Sequence, residues 1–135
     1  MGSYVITLDT GTTNTRVILW DSSRKIIATS KAEVGVRNTA IDSNNNRLKA
    51  AVKSCLDGVL KEANLTYNDV HMIIASGMIT SNVGLVEIPH CVVPVSAEEL
   101  AAAVKRISLP EVCPIPITFI PGVKNSDLPI NLDNF

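Results

Sequence analysis

The sequence lacks a charge excess of either sign: 12 Lys and Arg stand against 13 Asp and Glu, a net charge of −1. A protein that grips a nucleic-acid backbone carries a clear basic surplus, so that class is excluded. No run of about 18 consecutive apolar residues occurs, which excludes a membrane-spanning helix. The first residues, MGSYVITLDT, lack a basic stretch followed by an apolar one, so no export signal is expected there. Cysteine is scarce: Cys55, Cys91 and Cys113 are odd in number and widely spaced, neither a disulfide framework nor a metal set. They are expected to be buried thiols of a cytoplasmic protein. His90 beside Cys91 makes a poor nucleophile–base pair, because strand neighbours point to opposite faces. Neither G-x-x-x-x-G-K-[S/T] nor G-x-G-x-x-G is present. A phosphate held here would not sit on the helix N-terminus that those motifs use. Internal repeats and low-complexity segments are absent as well.

What is there is a chain of 135 residues, 46% hydrophobic, long enough for one domain with a core of its own. Tyr4–Leu8, Thr15–Asp21 and Lys25–Val36 read as three strands with short polar connections, an antiparallel meander. The period then changes. Leu48, Ala51, Val52, Cys55, Leu56, Val59, Leu60 and Ala63 form one apolar stripe at helical spacing, with Ser43 and Asn44–Asn46 as N-cap candidates. Val70–Ala75, VHMIIA, is a short apolar run of the kind found in parallel strands buried on both faces. Ser96-x-x-Glu99 is a capping box that opens a second helix, AEELAAAVKR, with Lys105 and Arg106 in its last turn and Pro110 as its stop. Ile115–Ile120 is a last strand, which Pro114 and Pro116 mark as an edge strand at its start. The order β-β-β-α-β-α-β predicts an α/β fold with a mixed five-stranded sheet and helices on its faces.

The densest chemistry is DTGTTNTR, Asp9–Arg16, between the first two strands. Gly11 allows close approach of the backbone to a ligand. Thr12, Thr13 and Asn14 offer hydroxyl and amide donors to phosphate oxygens. Arg16 is placed to meet a transferring phosphoryl group. Asp9 would be repelled by a phosphate but suits Mg²⁺, held through water. The same composition also suits an ordinary hairpin turn. The residues alone leave both readings open.

DTGTTNTR between two strands resembles the first phosphate loop of the sugar kinase, Hsp70 and actin superfamily, and the element order is similar to its ribonuclease-H-like lobe. ASGMITSNVG (Ala75–Gly84), then VEIPHCVVPVSAEEL and ITFIPGV, resemble the 2-dehydro-3-deoxygalactonokinase family over nearly the whole chain. That family usually carries a large aromatic where Leu85 stands. The resemblance implies ATP-dependent phosphorylation of the 6-hydroxyl of 2-dehydro-3-deoxygalactonate. It implies that Asp9 orients Mg²⁺, that Gly11, Thr12, Thr13 and Asn14 line the phosphates of ATP, and that Arg16 stabilises the transferring group. It also implies that Ser76, Gly77, Met78, Ser81 and Asn82 face the sugar acid.

Members of the family are about twice this length or more, with an Arg-Gly-Glu-Glu stretch after PGV and then a second domain. Residues 1–123 are therefore expected to be the first lobe and 124–135 an irregular tail leading to a second, with no turnover by the first lobe alone. An exposed apolar face at the lobe junction would also suit a homodimer. Arg37 is either a partner for the substrate carboxylate or a surface residue. His71 and His90 read as structural, and Glu98 and Glu99 as helix N-terminal charges. Ser81 and Asn82 also suit a cap, and Gly77 and Gly84 simple turns. The rival readings are another sugar or acyl kinase of the superfamily, and a non-catalytic actin-like module.

Overall fold

A computed structural model of the chain describes residues 2–81, 84–88, 91–93, 96–121 and 123–125. Strands β1 (Tyr4–Thr10), β2 (Thr15–Trp20) and β3 (Ile26–Ala32) are followed by helices α1 (Val36–Asp42) and α2 (Asn46–Glu62). After these come β4 (Val70–Gly77), β5 (Cys91–Val93), α3 (Ala97–Ala103), β6 (Lys105–Ile107), β7 (Ile117–Phe119) and β8 (Val123–Asn125). The main sheet runs β3-β2-β1-β4-β7-β6. Within it β1, β2 and β3 form the antiparallel meander, and β1, β4 and β7 run parallel.

Alternation decides which face is buried. Ile6 and Leu8 of β1, Val17 and Leu19 of β2, Ile73 and Ala75 of β4, and Ile117 and Phe119 of β7 are at most 1% exposed. The α2 stripe joins the same core, with Leu48, Val52, Leu56 and Val59 fully buried. Burying such side chains is worth about 1.5–3 kcal/mol each, so this helix–sheet contact carries much of the fold. Ala63, the last residue of the expected stripe, is the C-cap of α2 and only half-buried. Asn45 is the N-cap residue of α2, and its amide donates to the carbonyls of Gly84 and Leu85 at 3.3 and 3.4 Å. Ser43 instead ends α1 in a left-handed conformation, φ 59°.

Five expectations are corrected. The main sheet has six strands rather than five, because Lys105–Ile107 pairs antiparallel with β7. Lys105 and Arg106 are therefore strand residues: α3 ends at Ala103, and its Ser96 Oγ accepts from the Glu99 N–H at 3.0 Å. That extra strand makes β7 interior rather than an edge; Pro114 and Pro116 precede it and remove no ladder donor. The third strand stops at Ala32, and Val36 begins a short helix with only Val36 and Thr39 buried, too few for a periodic signal. Lys124 and Asn125, expected in the irregular tail, lie in β8, which pairs parallel with β5.

Cys55 and Cys113 are buried free thiols. Burial pushes the Cys113 thiol above its ordinary pKa, which keeps it protonated. His90 lies outside the described residues.

Candidate phosphate and substrate loops

β1 extends through Asp9 and Thr10, so these two belong to a strand flanked on both sides rather than to a turn. In register, Asp9 pairs with Arg16 on β2 and with Ser76 on β4, and Arg16 pairs with Lys31 on β3. Registered residues point to one side of a sheet. Lys31, Arg16, Asp9 and Ser76 thus form a row across four strands, opposite the face that packs on α2. Asp9, Arg16 and Lys31 are all exposed. Lys31 was missed from the sequence, since only the β2–β3 register brings it beside Arg16.

Gly11–Asn14 close the β1–β2 hairpin, with the Gly11 N–H donating to the Asn14 carbonyl at 2.9 Å. The Gly11 and Thr12 carbonyls turn towards α1, accepting from the Val36 and Arg37 N–H groups at 3.1 and 2.9 Å. Thr15 Oγ1 donates to the Val34 carbonyl at 2.8 Å. This support from Val34–Arg37 was also missed: nothing periodic in the sequence links a turn at 11–12 to a helix start at 36. The Arg37 side chain is exposed.

The second loop follows β4. Gly77 has φ 82° and ψ −147°, a conformation essentially reserved for glycine. A β-carbon there would run into the Asp9 carboxylate and lie 2.9 Å from the Thr10 carbonyl. The expected substrate-facing Gly77 is therefore also the residue that leaves room for Asp9. Met78 is buried, and Thr12 Oγ1 donates to its sulfur at 3.7 Å, so the two loops touch. Ser81 Oγ donates to the Met78 carbonyl at 2.7 Å, the cap that its residue type allows. Asn14 Nδ2 donates to Thr13 Oγ1 at 3.0 Å. Leu85 is 7% exposed and part of the core, so it serves as packing. Asn82 lies outside the described residues.

The topology explains this position. β1 connects to β2 on one side, while the chain returns through α1 and α2 to β4 on the other. Ligands of open α/β sheets bind at such a switch point, outside the carboxyl ends of the strands. The loops after β1 and β4 occupy that place. A cavity of about 310 Å³ lined by His71 and Arg106 lies at the opposite end of β4, roughly 20 Å from Gly77 at strand rise.

The sequence matches the 2-keto-3-deoxy-galactonokinase family over residues 9–132, a span that includes both loops. The chain belongs to that family. Among solved structures it superposes on a Sinorhizobium meliloti protein provisionally named as a 2-dehydro-3-deoxygalactonokinase. The TM-score is 0.65 at 20% identity, covering 91% of this chain and 36% of that one. The two share a fold, and this galactonokinase-family chain spans about a third of the relative's length. A more distant match is the activator of 2-hydroxyisocaproyl-CoA dehydratase from Clostridium difficile, solved with ADPNP bound. Its TM-score is 0.43 at 18% identity, over 55% of this chain and 24% of that one. No curated protein sequence matches the chain. Among the described residues, no helix is long and apolar enough to cross a membrane.

Proposed function

We propose that the chain is the first lobe of a kinase that transfers the terminal phosphoryl group of ATP to the 6-hydroxyl of 2-dehydro-3-deoxy-D-galactonate. The observation that carries this reading is the contact between the loops after β1 and β4, Thr12 against Met78, at the switch point of a chain of this family. In this reading Gly11, Thr12, Thr13 and Asn14 hold the β- and γ-phosphates, and Arg16 stabilises charge on the transferring group. Ser76, Gly77, Met78, Ser81 and Asn82 face the sugar acid. Phosphoryl transfer is mainly positioning and charge stabilisation, so a loop of amides and hydroxyls beside a guanidinium suits it. Lys31 next to Arg16 adds positive charge on the same row.

The residues present fit Mg²⁺. Among the described residues there is no group of three or more His, Cys, Asp or Glu that would cage a metal. One exposed carboxylate, Asp9, stands at the end of β1. Mg²⁺ favours that donor set: one or two carboxylates, water and substrate phosphates. When bound, the ion neutralises charge on the phosphates. Asp9 would hold it through water, in the space that Gly77 leaves beside the carboxylate. The base that deprotonates the 6-hydroxyl is assigned beyond Phe135, in a second lobe.

The test is an ATP- and Mg²⁺-dependent assay with 2-dehydro-3-deoxy-D-galactonate, run on this 135-residue chain and on a version extended to the relative's length. Expected is a 6-phosphate product from the extended protein and none from the 135-residue chain. Multiple turnovers by the short chain would overturn the lobe reading. Phosphorylation of a different sugar acid in preference would overturn the substrate.

A further inference from the structure

α1 begins with an arrangement that its own length does not require. A helix leaves its first four N–H groups without intrahelical partners, and water or a capping side chain commonly satisfies them. Here the first two, on Val36 and Arg37, donate to the Gly11 and Thr12 carbonyls at 3.1 and 2.9 Å. The N-cap residue, Gly35, is buried and held at its own N–H by Asn38 Oδ1 at 3.0 Å. A β-carbon on Gly35 would lie 2.5 Å from both loop carbonyl oxygens. Only a bare backbone fits between the helix start and the loop.

Peptide planarity carries the consequence. In a trans peptide the C=O and the following N–H point in opposite directions. With the Gly11 carbonyl directed at Val36, the Thr12 N–H points away from α1. With the Thr12 carbonyl directed at Arg37, the Thr13 N–H does the same. Among the described residues, neither of these two amides has a hydrogen-bond partner. Two successive outward amides offer a pair of donors suited to an anion.

We propose that Gly35, Val36 and Arg37 form a clamp that sets the polarity of the β1–β2 loop. By holding two carbonyls inward, it presents the Thr12 and Thr13 amides as paired donors to a terminal phosphate oxygen. These three are positioning residues that touch no ligand. The inference deepens the phosphate-loop reading above and rests on it.

The distinguishing variant is Val36→Pro. Proline at the first helical position keeps the helix but removes the N–H that holds Gly11. The preceding residue, Gly35, is already extended at φ −141° and ψ −166°, as a residue before proline should be. Val36→Ala removes the buried side chain and retains the amide, so it is the reference. The ¹⁵N-labelled chain is titrated with inorganic pyrophosphate. Saturable downfield shifts of the Thr12 and Thr13 amide protons are expected in the unmutated chain, with affinity about tenfold weaker in Val36→Pro than in Val36→Ala, roughly one lost hydrogen bond to a charged group. Silent Thr12 and Thr13 amides in the unmutated chain would overturn the clamp, as would equal affinity of the two variants. Should Val36→Pro fail to fold, Gly35→Ala takes its place, and affinity equal to that of the unmutated chain overturns the proposal. The two readings fail separately. Pyrophosphate at these amides without any sugar-acid phosphorylation by the extended protein sinks the kinase and leaves the clamp. Phosphorylation with silent amides does the reverse.

Discussion

The β1–β2–β3 meander contains two turns of similar length and opposite hydrogen bonding. The second, Asp21–Lys25, satisfies itself. Asp21 Oδ1 accepts from the Ser23 N–H at 2.9 Å, the Ser23 hydroxyl at 2.8 Å and the Lys25 N–H at 2.9 Å. Those hydrogen bonds, led by the one from the Lys25 amide, hold the Asp21 carboxyl below the usual carboxylate range. The first turn does the opposite. Its carbonyls are taken by a distant helix, its outward amides are unpartnered, and the carboxylate beside it, on Asp9, accepts no hydrogen bond among the described residues. Both stretches contain Asp, hydroxyl residues and a cation, so composition does not separate them. A turn that closes its own hydrogen bonds has no donor left to offer, whereas open donors need a partner from outside the turn, as the proposed phosphate reading supplies.

The sharpest way to break this contrast is to neutralise each carboxylate in turn. On the proposed function, Asp9→Asn in the extended protein is expected to lower kcat by about 100-fold or more, the scale of losing one preorganised electrostatic group, with the unfolding transition in place. Asp21→Asn is expected to leave kcat within about twofold. Steady-state kinetics over a Mg²⁺ series read both. Near-normal kcat for Asp9→Asn with unchanged Mg²⁺ dependence would remove the assignment.

A smaller effect is expected from Gly77→Ala. It places a side chain at φ 82° against the Asp9 carboxylate. A backbone strain of this kind costs about 1–3 kcal/mol, measurable as a lower midpoint in urea. The kcat should fall with it, because Asp9 must move. Unchanged stability would mean that the loop after β4 relaxes freely and does not position Asp9.

The smallest effect belongs to the structural turn. The folded-state pKa of Asp21 is depressed, so its contribution is fully present above the unfolded value, about 3.9, and is lost as pH falls through the folded one. The stability difference between the unmutated chain and Asp21→Asn should therefore be constant above about pH 5 and shrink below pH 4. A difference that grows on acidification would contradict the self-satisfied turn. Thermal melts across this range measure it.

Much of the architecture was legible in the chain. Seven residues of the stripe from Leu48 to Leu60 are buried on α2, because a helical period over four turns has one interpretation. The apolar run Val70–Ala75 is a parallel strand, as expected, but it is buried on one face rather than both: Val70, Ile73 and Ala75 enter the core, whereas His71 is exposed and Met72 and Ile74 are only half-buried. The short elements were not legible. Lys105–Ile107 is a strand because β7 offers it a ladder, and three residues contain too little pattern to show this. α1 buries only Val36 and Thr39 and leaves Ile41 67% exposed, so no stripe announces it. Among the candidate site residues, Asp9, Gly11, Thr12 and Thr13 stood out by type and order, whereas Lys31 and Gly35 did not. Their roles come from who their neighbours are across strands.

The sequence by itself determined the meander, the long helix and the hydroxyl-rich turn, since these follow from periodicity and residue chemistry over short windows. It also carried the family, through the two loops and their order. Only the tertiary structure decided that Gly77 makes room for Asp9, that Met78 meets Thr12, and that Gly35–Arg37 hold the loop carbonyls. Residues 9, 35 and 77 are far apart in the chain. Strand register and the packing of α1 against the hairpin bring them together, and both depend on the whole core at once.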